Sequence, residues 1–269
     1  MKVLGISTQL YVWSQVKGAN KSLGDQLNDV AEAGYDGAEF GLNLVSDSPK
    51  VSEIKTVLDR LSLKVSSLYS GGVFHDPKTA GGTIEEITGS AGYAMELGVP
   101  SITVNPASVK GGGEKTDDEL KIQAENLDKL GEELKKLGMA LYLHNHTPEI
   151  VNNAREFRSY LDLTDPELVN ACIDVHWVLR GGADPFELTK QYASRIKAMH
   201  VRNSKDGVWS EDFSDGDIDY RAYKKLMGEI DYTGWVTVEL AYESSTEMTR
   251  SFLENLKFSC EYARRIFGG

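Results

Sequence analysis

Cysteine is scarce in this chain. The two thiols, Cys172 and Cys260, stand far apart, one in an apolar stretch and the other in an amphipathic one. They read as core thiols rather than a disulfide framework, and a reducing cytoplasm is the expected location. No apolar run approaches the roughly 18 residues of a membrane span. The opening MKVLGISTQL has neither the apolar core nor the cleavage site of a leader peptide, so no membrane partner is expected. Basic residues are outnumbered, 29 Lys and Arg against 41 Asp and Glu, for a net charge of -12. That balance argues against a nucleic-acid partner, which needs clustered cations on its phosphates, but leaves a small anionic substrate open. The first strand-to-helix turn, STQLYVWSQVKG, contains no G-x-G-x-x-G phosphate loop. Linkers and low-complexity tracts are missing too, so one domain over residues 1–269 is expected. KGGGEK, residues 110–115, reads as a flexible loop.

What is present is a rhythm. Eight short apolar stretches, KVLGIST, YDGAEF, LKVSSLYS, SITVN, MALYLHNH, LVNACIDV, IKAMHVRN and GWVTVEL, each precede a helical pattern. The stretches are apolar on both faces, as buried parallel strands are. The helices repeat apolar residues at i, i+3 and i+4, as at Ala124, Leu127, Leu130 and Leu134. Gly34, Gly98 and Gly138 stand where left-handed C-terminal caps would close three of them. Strict alternation implies a parallel sheet with right-handed crossovers. Eight units favour closure over an open doubly wound sheet, so the fold class is α/β, a single (β/α)8 TIM barrel.

In such a barrel the chemistry sits at the C-terminal ends of the strands. The polar residues there are Glu39, Asn105, His144, Asn145, His146, Asp174, His176, His200, Arg202 and Glu239, with Glu149 just past strand five. Four of the chain's five histidines fall in this set, which random scatter would seldom produce. Each has an ordinary reading alone. Asp174 could cap a helix, His200 could bond a carbonyl, Glu239 could pair with Arg202, and His144 and His146 could be packing residues. Together, carboxylates and imidazoles converging from strands five to eight match a divalent transition ion. Mixed N and O donors suit manganese first, with cobalt, zinc, magnesium or iron as alternatives. The lack of cysteine at the rim argues against a closed structural zinc site. On a regular strand His144 and His146 both face the interior and Asn145 faces out.

The ordered motifs HNHTPE (144–149), IDVHW (173–177), MHVRN (199–203), DGDIDY (215–220) and VTVEL (236–240) carry a resemblance over essentially the whole chain. The sequence resembles the xylose isomerase-like barrel superfamily, the sugar phosphate isomerases and epimerases, with ketose epimerases, inosose dehydratases and AP endonucleases of the same fold. The resemblance implies a metal set of Glu, Asp, His and Glu from strands five to eight. Asp174, His200 and Glu239 match the last three. The first position departs. Many relatives run Glu-Asn-His, which puts Glu where His144 stands, whereas relatives with an HNH run often carry a carboxylate three residues later, here Glu149. Glu149 is the preferred first ligand, because a second carboxylate better neutralises the cation, and His144 is the alternative. Loss of that glutamate puts simple two-glutamate epimerisation in doubt. The acidic balance and the missing additional histidines argue against the endonuclease branch.

The resemblance implies a metal-dependent isomerase or epimerase acting on a sugar or sugar derivative. A proton is taken from beside a carbonyl and a metal-stabilised enediolate forms. Glu239 and either His144 or His146 are the acid/base candidates. Arg202, His176, Glu39, Trp13, Trp177 and Asn105 are the substrate-binding candidates, with Phe74 as a further wall. One alternative is a lyase or dehydratase on a keto-sugar, keto-inositol or 3-keto-glycoside through the same enediolate. The other is a non-catalytic sugar-binding barrel. The expected partner is a small-molecule carbohydrate, and a homo-oligomer is compatible with the sequence.

Overall fold

The computed structural model describes residues 1–16 and 21–268. Eight strands form a closed parallel barrel: β1 (Lys2–Gln9), β2 (Gly37–Gly41), β3 (Lys64–Gly72), β4 (Ser101–Pro106), β5 (Ala140–His144), β6 (Val169–Asp174), β7 (Ile196–Val201) and, eighth in the barrel, β10 (Thr233–Val238). Around the barrel β10 sits between β7 and β1, so each strand pairs with its sequence neighbours and the ring closes without an edge. The interval between β7 and β10 holds two short strands, β8 (Ser204–Lys205) and β9 (Val208–Trp209), paired as an antiparallel hairpin.

The helices are α1 (Leu23–Glu32), α2 (Ser48–Leu61), α3 (Ala80–Ala94), α4 (Asp117–Lys136), α5 (Thr147–Asp162), α6 (Val175–Arg180), α7 (Pro185–Gln191), α8 (Tyr220–Glu229) and α9 (Phe252–Phe267). Their apolar stripes face the barrel. On α4, Ala124, Leu127, Leu130 and Leu134 are all buried, and Thr116 with Glu119 closes its N-terminus as a reciprocal capping box. Gly34, Gly98 and Gly138 have φ of +89°, +66° and +74°, the left-handed conformation that ends a helix with little strain only at glycine. No described helix is long and apolar enough to cross a membrane.

Three local details differ from the sequence reading, and two of them shape the site. β5 stops at His144, so HNH is not one continuous strand. Asn145 does not face out but is buried against β6. Its Oδ1 accepts the Asp174 N–H at 3.0 Å and its Nδ2 donates to the Asp174 carbonyl at 3.2 Å, extending the β5–β6 ladder by a side chain. Asp174 is thereby held on both backbone groups. α5 then starts at Thr147, earlier than the periodicity predicts, and is broken by a left-handed run at Asn152, Asn153 and Ala154 (φ 54°, 61° and 56°). The β8–β9 hairpin is the third difference, and it carries Trp209 to the barrel mouth.

Candidate active site

The strand register sets the site. Asp174 pairs with His200 across β6 and β7, and His144 pairs with Cys172 across β5 and β6. The C-terminal ends of three adjacent strands therefore bring His144, Asp174 and His200 together, and Glu239 follows β10 directly. Among the described residues one buried group can hold a metal ion: His144, Asp174, His200 and Glu239, whose donor atoms all lie within 4.8 Å of one another. His200 Nδ1 is 2.7 Å from Glu239 Oε2. His144 Nε2 is 3.4 Å from Glu239 Oε2 and 3.7 Å from Asp174 Oδ2.

Charge and hydrogen bonding both mark this group as a cation site. Three buried carboxylates share the site with one guanidinium: Arg202 meets Asp174 and Glu239 while Glu39 meets His200, so with ionised carboxylates and neutral imidazoles the group stands at minus two. An uncompensated buried charge of that size is costly. The His144 nitrogens are fully buried and have no hydrogen-bond partner among the described residues. An orphaned imidazole nitrogen beside two carboxylates is what a metal ligand looks like when the ion is left out of account. Without an ion, protons answer the same demand. Burial alone would lower the His144 pKa, but Asp174 and Glu239 raise it above the ordinary value. Burial likewise opposes the charge on His200, and Glu39 and Glu239 help to raise its pKa well above normal. Burial would raise both acids, yet Arg202 first and then the imidazoles hold Asp174 below, and Glu239 well below, the usual carboxylate range.

The supporting shell is specific. Glu39 reaches from β2 to His200 Nε2, at 3.1 Å and 3.2 Å from its two oxygens, which fixes the ring so that Nδ1 points into the group. Arg202 Nη2 lies 2.5 Å from Asp174 Oδ2 and 3.2 Å from Glu239 Oε2. Its guanidinium also lies over Trp177 and Trp209, 5.1 Å and 5.0 Å from the centroids of two rings that meet edge to face. Trp209 is positioned by an ordered chain of donors. Its Nε1–H can only donate, so His176 Nδ1, 3.1 Å away, accepts. His176 Nε2–H must then donate to Ser204 Oγ (2.8 Å), and Ser204 donates to Asp217 Oδ2 (2.6 Å). Burial pushes His176 down to about 4, consistent with this neutral tautomer.

Above the group a cavity of about 420 Å³ opens to the surface, with Tyr11, Tyr69, His146, Trp177, Trp209 and Glu239 in its wall. His146 has one nitrogen to spare there. Asn105 Nδ2 donates to the His144 carbonyl, which turns Asn105 Oδ1 toward His146 Nδ1 at 3.3 Å and makes that nitrogen the donor. Nε2 keeps its lone pair. Burial, then the charge on His144, push the His146 pKa down to about 4, so the ring is neutral at pH 7.

The remaining expected residues fall as follows. Glu149 lies outside the metal-capable group. As the third residue of α5 its Oε2 accepts the His146 N–H at 2.7 Å, in a capping box that uses the carboxylate to start the helix. Trp177 and Arg202 line the mouth, whereas Asn105 and His176 act one layer behind it. Trp13 is buried, donating to Asp29 Oδ2 at 3.2 Å and packing edge-on to Phe252. Phe74 belongs to the core. Tyr11, Tyr69 and Trp209 were not expected. Tyr69 stands in the C-terminal half of β3, and an inventory of that end of the strands that included neutral aromatics would have held it.

The family described as xylose isomerase-like TIM barrel matches residues 27–264. The chain belongs to this family. Within it, the sequence is similar to an inosose dehydratase of Geobacillus kaustophilus, 26% identical, with 89% of this chain and 86% of the relative covered. The xylose isomerase-like fold is matched by a sugar phosphate isomerase/epimerase from Parabacteroides distasonis (TM-score 0.76, 22% identity, 96% and 93% covered). It is matched as well by a D-psicose 3-epimerase from Clostridium cellulolyticum (TM-score 0.80, 13% identity, 98% and 99% covered). The chain thus combines the xylose isomerase-like barrel with a buried group suited to a metal ion.

Proposed function

We propose that this chain is a metal-dependent lyase of the dehydratase type, acting on a keto-sugar or keto-inositol. One observation carries the reading: His146 is the only histidine of the mouth outside the metal-capable group among the described residues, and its Nε2 is free. His144, Asp174, His200 and Glu239 would hold the ion, with His144 rather than Glu149 as first ligand, and the mixed N and O donor set suits manganese. When bound, the ion supplies Lewis-acid polarisation of the substrate carbonyl.

The chain's own residues do the rest. His146 Nε2 removes the proton from the carbon beside the carbonyl, and the electron pair moves toward the carbonyl oxygen. The imidazolium so formed gives its proton to the hydroxyl on the next carbon, which leaves as water. One group acting on one face suffices for this elimination. Epimerisation needs proton transfer on both faces, so the sequence reading that placed it first now comes second. Tyr69 keeps that second reading open: burial holds its phenol protonated, and its hydroxyl has no partner among the described residues. Arg202 Nη1 also makes no hydrogen bond among the described residues and is left for a substrate oxygen. Similarity to inosose dehydratases over most of the chain supports the same reaction class.

The test is incubation of the manganese-loaded protein with 2-keto-myo-inositol in deuterated water. Loss of one water is expected. His146→Ala should lower that rate by about 10²–10⁴-fold with metal content unchanged. A product that keeps all its oxygens and gains one deuterium, one mass unit heavier than the substrate, would favour epimerisation. No loss of rate in His146→Ala would remove the imidazole from the mechanism.

A further inference from the structure

The DGDIDY stretch, residues 215–220, has no part in the proposed elimination, yet it is built onto the mouth. Gly216 lies against β8: a Cβ there would stand 2.2 Å from the Ser204 carbonyl oxygen and 2.8 Å from Asn203 Cγ, so only glycine allows the approach. Asn203 fastens the same loop. Its Nδ2 donates to the Ser214 and Ile218 carbonyls at 2.9 Å and 3.0 Å, and its Oδ1 accepts the Ile218 N–H at 3.1 Å. The Asp217 N–H donates to the Ser204 carbonyl at 2.7 Å. These contacts deliver the Asp217 carboxylate to the hairpin, where it accepts the Asp206 and Gly207 N–H groups at 3.0 Å and 2.8 Å as well as Ser204 Oγ.

Asp217 gives the relay its direction. Partial burial would raise its pKa, but Ser204 and the two turn N–H groups hold it below the usual carboxylate range, so it is ionised and can only accept. Ser204 must then donate to Asp217, His176 Nε2–H to Ser204, and Trp209 Nε1–H to His176. Reversing any one of these bonds would cost Trp209 its acceptor. The pinned indole matters because Arg202 is otherwise loosely oriented. Asp174 and Glu239 hold it through Nη2 alone, and its Nε has no partner among the described residues. Bonds to one nitrogen leave the guanidinium plane free to pivot, and the Trp209 ring, 5.0 Å from it, removes that freedom. Trp177 also touches Arg202, but its own Nε1 has no partner among the described residues, and it meets Trp209 edge-on.

We propose that Asp217 is a positioning residue. Acting through Ser204, His176 and Trp209, it sets the angle at which Arg202 Nη1 meets a substrate oxygen, and so sets substrate affinity from an exposed loop that lines no part of the mouth cavity. This rests on the reading of Arg202 as a substrate contact. Arg202 takes no proton in the elimination, so its contact is made equally before and during the reaction. Losing the angle therefore raises KM and spares kcat.

The experiment has two readouts on the full chain. The first is proton–nitrogen NMR of the magnesium-loaded protein, following the Trp209 Nε1–H and the Arg202 Nε–H, assigned with Trp209→Phe and Arg202→Lys. Ser204→Ala should speed solvent exchange of the Trp209 proton by about tenfold and shift the Arg202 signal, leaving the Trp13 and Trp235 indoles as they are. The second is kinetics of the manganese-loaded protein with 2-keto-myo-inositol. Ser204→Ala should raise KM by about three- to tenfold with kcat and metal content unchanged. In a Trp209→Phe background the same change should leave KM where it is, because the relay then holds nothing. Asp217→Asn, which cannot accept from Ser204 and both turn N–H groups at once, should follow Ser204→Ala. Unchanged Trp209 and Arg202 signals in both variants would overturn the proposal. So would an unchanged KM, or an equal rise in the Trp209→Phe background. A native protein inert toward 2-keto-myo-inositol would sink the dehydratase reading instead, while the two NMR signals still decide whether Asp217 sets Arg202.

Discussion

The rim of this barrel has two unlike halves. From β5 through β10 the strand ends carry imidazoles, carboxylates and one guanidinium, all buried and tied to one another. From β1 through β4 they carry amides and tyrosines, with Tyr11 largely exposed and no member of the metal-capable group. Both halves rest on the same scaffold of parallel strands. The difference gathers the buried charge on one side of the mouth and leaves neutral polar and aromatic groups on the other. Glu39 is the exception, reaching from β2 across to His200.

The largest effect should come from breaking the charged half. Asp174→Asn removes a ligand and a charge that faces Arg202 at 2.5 Å. Lewis-acid stabilisation is worth several kcal/mol, so activity should fall by about 10³-fold or more, with metal lost in parallel. Turnover near the native level would break the division between the halves. Glu39→Gln tests the crossing residue. A carboxylate behind a metal-binding imidazole is worth about 10–100-fold in metal affinity, so this variant should need correspondingly more metal and recover its rate when saturated. A permanently lower rate at saturating metal would mean that Glu39 touches substrate.

A smaller effect concerns pH, and it too should arise in the charged half alone. In the metal-free protein His144 and His200 have pKa values above the ordinary 6.5. Their protonation therefore stabilises the fold fully below about pH 6.5, and that contribution is lost as pH rises through the folded values. Asp174 and Glu239 have depressed values, so their contribution is present above about pH 4.5 and is lost on acidification. Melting of the metal-stripped protein should be highest between these limits and fall by a few degrees on the alkaline side. Manganese should remove the alkaline fall, because the ion replaces the protons. A metal-stripped protein whose melting temperature rises above pH 7 would contradict the charge balance.

The barrel was legible because parallel strands buried on both faces leave an apolar run before every amphipathic helix, and the C-terminal rule then singled out the rim. Asp174, His200 and Glu239 needed only their strand ends to be placed. The choice between His144 and Glu149 did not follow from spacing, because it depends on where β5 stops. Asn145 takes over the ladder at Asp174, His146 becomes a helix cap, and the helix-start geometry claims Glu149. The β8–β9 hairpin had a signal that went unused. Asp206-Gly207, at φ 51° and 78°, is a two-residue turn of the kind that hairpins favour. Reading it would have brought Trp209 to the mouth. The pairing of Asp217 with Ser204 and the turn could not be read, since it links residues whose contact exists only after the hairpin folds.

The central claim is that the buried group built on His144, and not one built on Glu149, holds the ion. Metal content of purified native, His144→Ala and Glu149→Gln proteins, measured by elemental mass spectrometry after identical manganese loading and desalting, tests it most directly. The account predicts one ion per chain in the native protein and in Glu149→Gln, and a large loss in His144→Ala. Full occupancy in His144→Ala together with loss in Glu149→Gln would contradict it.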